Sequence, residues 1–378
     1  MMKAICITSR PNLGELDKCV ELKDLPVPVP GKNEIRIKVI ASAINIDDVH
    51  LAEGTMFGGL PFGPKPSQSK PYIPGIDVAG IIDDIGLGVK SLKVGQEVYG
   101  ICNATKGRGP WAEYCITKSD NVAVKPQVWD FREAAACASA GAVVVSMVNS
   151  VKNVANKRCL VIGASGGIGT LCVQALKQAN ARVWGVCSQR NVEIVQKLGA
   201  ERVIDYTNAP FAEQIQDLDE QVDVVFDLVG GKEIERDAFS VLASAGTFVT
   251  IVGPSKYVGE KNIGVMGALS SFAYVGERML WTRMRTGPNY VFTGAATPDF
   301  ASINTMLITS GSKPIIDTEV SLTQGDISAA INRVKSHRAV GKIIVNVGGL
   351  GFHQNGNGAK NADRVMRKQV AGSMTPSR

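Results

Sequence analysis

Histidine is scarce in this sequence, which contains only His50, His337 and His353. The three are far apart, and none has the spacing to cysteine or histidine that a tetrahedral zinc site requires. Asp47, Asp48 and His50 form a short polar cluster, which fits either half of a metal site or polar side chains at the edge of a cleft. The sequence has no G-x-S-x-G motif and no cysteine beside a histidine base, which argues against a hydrolase.

Paired cysteines are also missing, since none of the eight cysteines forms a C-x-x-C motif. Several lie within apolar strand or helix patterns, which is typical of reduced, buried thiols. Residues 1–9 lack the apolar core of a signal peptide and the arginines of a transit peptide, so we expect a cytoplasmic location, with an organelle left open. The most apolar window, Ala134–Val148, is too short for a bilayer span and predicts a core helix.

A strong charge imbalance is absent from most of the chain. The net charge is +6, of which +4 comes from the residues from Gly351 onward. The body therefore lacks the basic signature of a nucleic-acid-binding protein. The end of the chain is rich in Gly and Asn, then basic and poor in apolar residues, which predicts a flexible tail.

The 378 residues exceed a typical single core, so we expect more than one domain. Short strands with glycine turns predict a β-barrel-like domain over residues 1–128. Strands and helices then alternate over 129–295, which predicts an α/β domain with a parallel sheet. Residues 296–350 are expected to return to the first domain, and 351–378 form the tail. The pattern is unclear through 259–284, and Tyr290–Thr293 is predicted as a further strand.

A glycine-rich turn lies between a predicted strand and a predicted helix in Arg158–Gly169, RCLVIGASGGIG. Backbone N–H groups and the helix dipole make such a turn an anion site. Ala164 occupies the first glycine position of G-x-G-x-x-G, and Gly166 and Gly169 occupy the others. The motif alone fits either a dinucleotide pyrophosphate site or an ordinary tight turn.

The end of the following strand, VCSQR, lacks the acidic residue that holds the ribose 2′-OH of NAD. Ser188 can donate a hydrogen bond to a 2′-phosphate, and Arg190 can form an ion pair with it. This substitution favours NADPH over NADH. Tyr206, at the end of the third strand, can add a hydroxyl near the adenosine. Arg190 also fits an ordinary surface charge at the start of a helix.

Longer segments of the sequence identify a protein family more specifically than the glycine turn does. Over Met1–Val347 the chain resembles the medium-chain dehydrogenase/reductase superfamily, and within it the zinc-independent, ζ-crystallin-like quinone oxidoreductases. The resemblance is carried by VPVPGKNEIRIKVIASAINIDD (27–48), PYIPGIDVAGIIDDIGLGVKSLKVGQEVYG (71–100), WAEYCITKSDNVAVKP (111–126), CLVIGASGGIGTLCVQALK (159–177) and VCSQRNVEIVQKLGAERVIDYT (186–207). The last stretch, with GKIIVNV (341–347), looks most like the reticulon-4-interacting mitochondrial oxidoreductases.

The resemblance implies a GroES-like β-barrel domain plus a Rossmann domain with a doubly wound parallel sheet. Substrate and nicotinamide would lie in the cleft between them. The positions of the catalytic zinc ligands hold Asn45, Ile76 and Ala136 here, so no metal site is expected. Together with Gly166 of the turn and Arg190 from the charge argument above, the residues carried over by position give the expected cofactor-binding set: Ser165, Gly166, Gly167, Ile168, Ser188, Arg190, Tyr206, Leu228 and Val252.

The implied activity is reduction of a quinone or an α,β-unsaturated carbonyl by hydride from NADPH. Asn45 is the expected hydrogen-bond donor to the oxyanion that develops. Asp48 or His50 is a candidate proton relay, or else a structural residue.

Two alternatives remain at this point. One is a protein that binds NADPH for a structural or regulatory purpose with little turnover. The other is an enoyl-thioester reductase, although Met56 stands where the related enzymes have a tyrosine, and Pro61–Lys70 lengthens the loop over the cleft. Family dimers pair their sheets at an edge, so we expect a homodimer through the strand at Tyr290–Thr293.

Overall fold

The computed structural model describes residues 1–55, 64–256, 263–284, 288–294 and 298–348. Its strands, in chain order, are β1 (Met2–Cys6), β2 (Glu21–Leu25), β3 (Glu34–Ile44), β4 (Asp77–Ile85), β5 (Glu97–Ile101), β6 (Tyr114–Lys118), β7 (Val122–Val124), β8 (Arg158–Ile162), β9 (Arg182–Cys187), β10 (Arg202–Asp205), β11 (Val222–Asp227), β12 (Leu242–Thr250), β13 (Asn289–Phe292), β14 (Ile316–Ser321) and β15 (Lys342–Asn346).

Ten α-helices accompany these strands within the described ranges. They are α1 (Leu16–Cys19), α2 (Ile46–Glu53), α3 (Phe131–Asn149), α4 (Gly169–Gln178), α5 (Val192–Lys197), α6 (Phe211–Gln216), α7 (Lys232–Val241), α8 (Gly264–Met284), α9 (Phe300–Ile303) and α10 (Gln324–Lys335). A short π-helical turn, Asn304–Ile308, continues α9.

A seven-stranded sheet has the order β14-β15-β3-β4-β5-β7, with β6 also paired to β3. Because β15 pairs antiparallel with β3, strands from the end of the described chain join those from its beginning. Alternating apolar residues of β3, including Ile35 and Ile37, face a buried core. The first sheet is therefore made from both ends of the sequence.

The middle of the chain forms a six-stranded parallel sheet in the order β10-β9-β8-β11-β12-β13. This is the doubly wound order, in which the chain reverses direction across the sheet between β8 and β11. Apolar side chains of α3, α4 and α5 share one core cluster, and those of α6 and α7 share another. The parallel sheet predicted from strand–helix alternation is confirmed.

Helix α3 packs against strands of the first sheet and against α4 of the second domain. Asp130 caps its N-terminus by accepting a hydrogen bond from the backbone N–H of Glu133 at 2.8 Å. By length and composition α3 is the one helix in the described ranges apolar enough to cross a bilayer, but 67% of its most apolar window is buried in the protein. The core-helix interpretation of Ala134–Val148 fits this burial.

The sequence pattern was least informative where α8 lies. Only Ala268 of this helix is fully buried, and large apolar side chains such as Met266 and Phe272 are exposed. Periodicity predicts a helix when apolar residues share its inward face, and α8 places many of them outward. Residues 351–378, predicted as a tail, lie outside the described ranges.

The glycine turn between β8 and α4 is held by close backbone contacts. Gly163 has a φ of +86°, which favours glycine. A Cβ on Gly169 would overlap the carbonyl oxygen of Gly163, whereas a Cβ on Gly166 would meet that oxygen at 3.4 Å, an ordinary contact. The turn therefore needs glycine at position 169 for packing, and position 166 has room for a methyl group.

We expect Gly169→Ala to lower the free energy of unfolding by about 1–3 kcal/mol, because the added methyl group must displace the backbone of the turn. The matched variant Gly166→Ala should stay within about 1 kcal/mol of the wild type. Chemical denaturation of both variants measures the difference. Equal stability of the two would contradict the packing constraint assigned to Gly169.

Candidate active site

The predicted cofactor residues follow the carboxyl ends of neighbouring parallel strands. Ile162 at the end of β8 pairs with Val186 of β9 and with Asp227 of β11. Asp227 in turn pairs with Thr250 at the end of β12. Ligands of open α/β sheets bind at this edge, where the strand order reverses. The fold thus brings the glycine turn and the residues after β9, β10, β11 and β12 to one edge.

The turn is joined to the loop after β9 by a side-chain hydrogen bond. Asn191 Nδ2 donates to Ser165 Oγ at 2.9 Å, and Asn191 is buried. Gly166, Gly167 and Ile168 are half-buried and lead into α4, whose N-terminus therefore lies at the turn. Sequence reasoning missed Asn191, although an Asn directly before a helix is a recognisable signal.

The residues expected near a 2′-phosphate lie together at the ends of β9 and β10. Ser188 is half-buried, and its carbonyl oxygen accepts from the Asn191 N–H at 2.8 Å. Tyr206 is 58% exposed, and its N–H donates to Cys187 O at 3.2 Å. Arg190 is exposed, and its guanidinium donates to the carbonyl oxygen of Arg338 at 3.2 Å. Arg190 is thus an anchored surface cation beside the turn.

A cavity of about 410 Å³ opens next to these residues, lined by Gln189, Asp205, Thr207 and Asn208. The Asp205 carboxylate accepts from the Thr207 N–H at 2.9 Å and from its hydroxyl at 2.6 Å. These hydrogen bonds, the hydroxyl first, lower the pKa of Asp205. Sequence reasoning missed this acid, which lies beside the residues predicted to contact the adenosine and whose carboxylate is bonded within its own loop.

The loops after β11 and β12 are fixed by Asp227. This buried carboxylate accepts from the N–H groups of Val229 and Gly230 at 3.0 and 2.9 Å, and from the Thr250 hydroxyl at 2.9 Å. Burial raises its pKa, and the three donors lower it in part. Leu228 directly follows Asp227, so Asp227 positions a half-buried predicted cofactor residue.

Val252, the other apolar residue predicted to contact the cofactor, is also half-buried. Its N–H donates to the Thr250 hydroxyl oxygen at 3.2 Å. The Asp227–Thr250 bond therefore ties the loop that carries Val252 to the loop that carries Leu228.

A second group of side chains lies where strands β4 and β15 of the first sheet meet the start of α2 and helix α3. We call these residues, Asn45, Asp77, Ser139 and Lys342, the polar cluster. Asp77 Oδ2 accepts from Asn45 Nδ2 at 2.9 Å, from Ser139 Oγ at 2.9 Å and from Lys342 Nζ at 3.0 Å. Asp77 Oδ1 accepts from the Ser139 N–H at 2.8 Å. Lys342 Nζ also donates to Asn45 Oδ1. The polar cluster is a closed network around one buried carboxylate.

The polar cluster meets the glycine turn through Lys342. A Cβ on Gly167 would lie 2.6 Å from Lys342 Cδ, so the lysine stem crosses directly over this glycine. The preceding residue, Gly341, donates its N–H to Ser165 O at 3.0 Å. The predicted cofactor turn and Asn45 are therefore brought together, with Lys342 between them.

Asp48 and His50, predicted as relay or structural residues, are both buried on α2. Asp48 Oδ2 accepts from the Asn45 N–H at 2.8 Å, which caps the helix. Burial raises the pKa of Asp48 well above its usual value. Burial, with a smaller effect of His337, lowers the pKa of His50 to about 4, so its imidazole is neutral at pH 7. The contact seen for Asp48 is structural, and a catalytic role stays a prediction.

The residues at the positions of the zinc ligands do not fit zinc. Asn45 presents an amide already bonded within the polar cluster, and Ile76 and Ala136 have no ligating atom. Within the described ranges, no three His, Cys, Asp or Glu side chains converge to hold a metal ion. The cationic group beside Asn45 is the ammonium of Lys342.

Comparison with known proteins identifies the family. Residues 31–127 match the alcohol dehydrogenase GroES-like domain, and residues 198–345 match the zinc-binding dehydrogenase domain. The human mitochondrial NAD(P)H oxidoreductase RTN4IP1 is 31% identical over 83% of this chain and 82% of its own length. The chain belongs to the medium-chain dehydrogenase/reductase superfamily. It is therefore an oxidoreductase, and the predicted α/β class with GroES-like and Rossmann parts is confirmed.

Other members of the superfamily are also similar. The chloroplastic NADPH-dependent alkenal/one oxidoreductase of Arabidopsis thaliana is 28% identical over 85% of this chain and 74% of its own length. The quinone oxidoreductase of Coxiella burnetii shares the fold, with a TM-score of 0.73 at 22% identity over 92% of this chain and 99% of its own. Because the two sequence relatives are organellar proteins, an organelle stays open beside the predicted cytoplasmic location.

Sequence reasoning missed three of the four residues in the polar cluster. Asp77 is a charged residue opening an apolar strand, Ser139 interrupts an apolar helix, and Lys342 precedes the apolar run of β15. Each is an isolated polar residue in an apolar pattern, which is a signal for a buried polar contact. Met56 and the Pro61–Gly63 part of the predicted loop lie outside the described residues.

If Asp48 serves as a helix cap, we expect Asp48→Asn to keep turnover within about threefold of the wild type, because the amide oxygen can accept the same hydrogen bond. The raised pKa of Asp48 means that the folded state loses stability as pH rises through that pKa. The wild type should therefore lose stability relative to Asp48→Asn between pH 4 and pH 8. Thermal unfolding at both pH values measures this, with the exposed Asp120→Asn as the control. A large loss of turnover in Asp48→Asn would instead support a relay role.

Proposed function

We propose that this protein reduces a quinone or an α,β-unsaturated carbonyl with NADPH and without zinc. The observation that carries the proposal is the contact of the polar cluster with the glycine turn, through Lys342 over Gly167. It places hydrogen-bonding groups of the first domain next to the turn proposed to hold the cofactor. When bound, the reduced nicotinamide supplies the hydride.

In this proposal the chain's own residues bind the cofactor and orient it. The glycine turn at the N-terminus of α4 is suited to the pyrophosphate, because glycine at 163, 167 and 169 lets the backbone approach closely. Ser188 and Arg190 are suited to a 2′-phosphate, since neither brings negative charge. Leu228 and Val252 are half-buried apolar contacts at the ends of β11 and β12.

The substrate class is supported by chemistry and by the relatives. Without zinc to polarise a simple carbonyl, hydride must go to an electrophile that is already activated, such as a quinone or an enone. The Arabidopsis relative is an alkenal/one oxidoreductase that uses NADPH, and the human relative uses NAD(P)H. The rival function is a binding protein that holds NADPH with little turnover.

We also propose that the protein is a homodimer. Strand β13 pairs only with β12 among the described strands, so its other edge can accept a second strand. Helix α8 packs on β13 and exposes large apolar side chains, including Leu269 (56%) and Phe272 (58%). Arg278 anchors the opposite side of α8 through an ion pair with Glu235 at 2.7 Å. An open strand edge beside an exposed apolar helix favours association with β13 and α8 of a second copy of the chain.

We expect the protein to oxidise NADPH in the presence of quinones and short enones, and to prefer NADPH over NADH. Steady-state rates with a panel of acceptors test the activity, and fluorescence titration with each cofactor tests the preference. Ser188→Asp should weaken NADPH binding by about tenfold or more, because a carboxylate repels the 2′-phosphate. Ser188→Ala, which removes only a donor, is the matched control and should have a smaller effect.

Two results would contradict this proposal separately. Tight NADPH binding without turnover on any acceptor would support the binding-protein alternative. Tighter binding of NADH than of NADPH would overturn the roles given to Ser188 and Arg190 and leave the reductase activity in place.

For the dimer, light scattering should give twice the mass of the 40.1 kDa chain. Phe272→Glu should shift the protein to the monomer, because it would bury a carboxylate in the apolar interface. Leu87→Glu is the matched control, since Leu87 is 85% exposed and lies on the first domain. A monomeric wild type, or an unchanged Phe272→Glu dimer, would rule this interface out.

A further inference from the structure

The hydrogen bonds of Asn45 leave its side chain fully committed. Its Nδ2 donates to Asp77 Oδ2 at 2.9 Å and faces Asp48 Oδ2 at 3.5 Å, and its Oδ1 accepts from Lys342. An amide nitrogen has two hydrogens, and both are directed at carboxylates. For Asn45 to donate to a substrate oxygen, one of these bonds to a carboxylate must break.

Lys342 differs from Asn45 in this respect. An ammonium group has three N–H donors, and the acceptors of Lys342 in the described part of the chain are two, Asn45 Oδ1 and Asp77 Oδ2. One N–H is left for another acceptor. The Lys342 side chain is 6% exposed and that of Asp77 is fully buried, so the charge lies in an environment where electrostatic interactions are strong.

The polar cluster is not sealed from solvent. Asn45 and Ser139 are only half-buried, and Asp47, on the first turn of α2, is exposed. The stem of Lys342 lies against Gly167, so its ammonium is held next to the turn proposed to bind the cofactor. An acceptor oxygen that comes within hydrogen-bonding distance of Lys342 Nζ would meet the third N–H and a positive charge.

We propose that Lys342 is a catalytic residue whose ammonium donates to the carbonyl oxygen of the acceptor and stabilises the negative charge that develops there. This inference rests on the proposed reductase function. Asp77 is then a positioning residue, since it holds the ammonium together with Asn45.

The chemical step balances without a further reactant. With the bound cofactor as the source of hydride, the C–H bond that forms at the β-carbon of an enone would replace a C–H bond broken in the cofactor, and the π electrons would move onto the carbonyl oxygen. The enone would be reduced by the two electrons that the cofactor supplies. Water then gives a proton to the α-carbon, so Lys342 keeps its own proton throughout. Its charge matters most when the oxygen is anionic, which is the condition for transition-state stabilisation.

The test compares Lys342→Met with Lys342→Arg. Loss of one preorganised donor to an oxyanion costs about 10²–10³-fold in kcat, so we expect that loss in Lys342→Met. Lys342→Arg keeps the charge and the donors and should stay within about tenfold of the wild type. NADPH affinity, measured by fluorescence, should change by less than about threefold in both. Asp77 keeps Ser139 and Asn45 as donors in Lys342→Met, so the variant is expected to fold.

Lys125→Met is the matched control for removing a buried ammonium. Lys125 is 7% exposed and pairs with Glu97 at 3.1 Å on the first domain. The Lys125→Met variant should have a lower melting temperature and the same kcat as the wild type. An undiminished kcat in Lys342→Met, at saturating NADPH, would overturn the inference even if stability or NADPH affinity fell.

The Asn45→Ala variant tests the identity of the oxyanion donor independently, even if Lys342→Met does not fold. With Lys342 as the donor, Asn45→Ala should lower kcat by less than about tenfold, and a loss of about 10²-fold or more would assign the oxyanion donor to Asn45 and overturn the inference. If the wild type reduces no acceptor, the proposed function fails and this inference fails with it. An active wild type with an active Lys342→Met removes only the inference.

Discussion

The buried ion pair between Lys342 and Asp77 is the interaction on which the candidate active site depends. Removing a charge from water is costly, and the attraction within a buried ion pair offsets that cost only when its geometry is good and further hydrogen bonds support the two groups. Here Asp77 accepts four hydrogen bonds, two from Ser139, one from Asn45 and one from Lys342. The carboxylate thereby fixes groups from α3, from the start of α2 and from β15. The aliphatic stem of Lys342 also packs over Gly167, which connects the ion pair to the glycine turn.

The placement of the predicted cofactor residues at one edge of the sheet could be derived from the sequence, because its signals are local. The strand–turn–helix pattern of Arg158–Gly169 is contained in one short segment, and so is the acid-free end of β9. Parallel strands bring their carboxyl ends to one edge by a general rule, so Ser188, Tyr206, Leu228 and Val252 could be assigned to one edge from their places in successive strands. The exposure of Tyr206 and the anchoring of Arg190 to Arg338 O depend on tertiary contacts, which no local pattern reports.

The polar cluster was harder to predict because its contacts join distant parts of the chain. Lys342 and Asp77 are 265 residues apart, and Asp77 and Ser139 are 62 apart. Asn45 was found only through a resemblance. Asp48 was predicted as either a relay or a structural residue, and its contact with the Asn45 N–H, which caps α2, depends on the local geometry of the helix start. Helix α8 was missed for a different reason, since its apolar residues face outward and leave no inward stripe. In both cases the missing information is tertiary. For the polar cluster it is which distant residue lies beside each side chain, and for α8 it is which face of the helix points to solvent.

The return of the chain to its first sheet explains why both halves of the site meet at Lys342. Gly341 donates to Ser165 O in the second domain, and the next residue begins β15 in the middle of the first sheet. Lys342 is therefore linked to the second domain through the backbone of Gly341, and to the first domain through its own side chain. The ammonium is thus in one contact network with the glycine turn, Asn45 and Asp77. In the proposed reductase, this network would join the cofactor-binding turn to the charge beside the acceptor, which a donor carried by the first domain alone would not do.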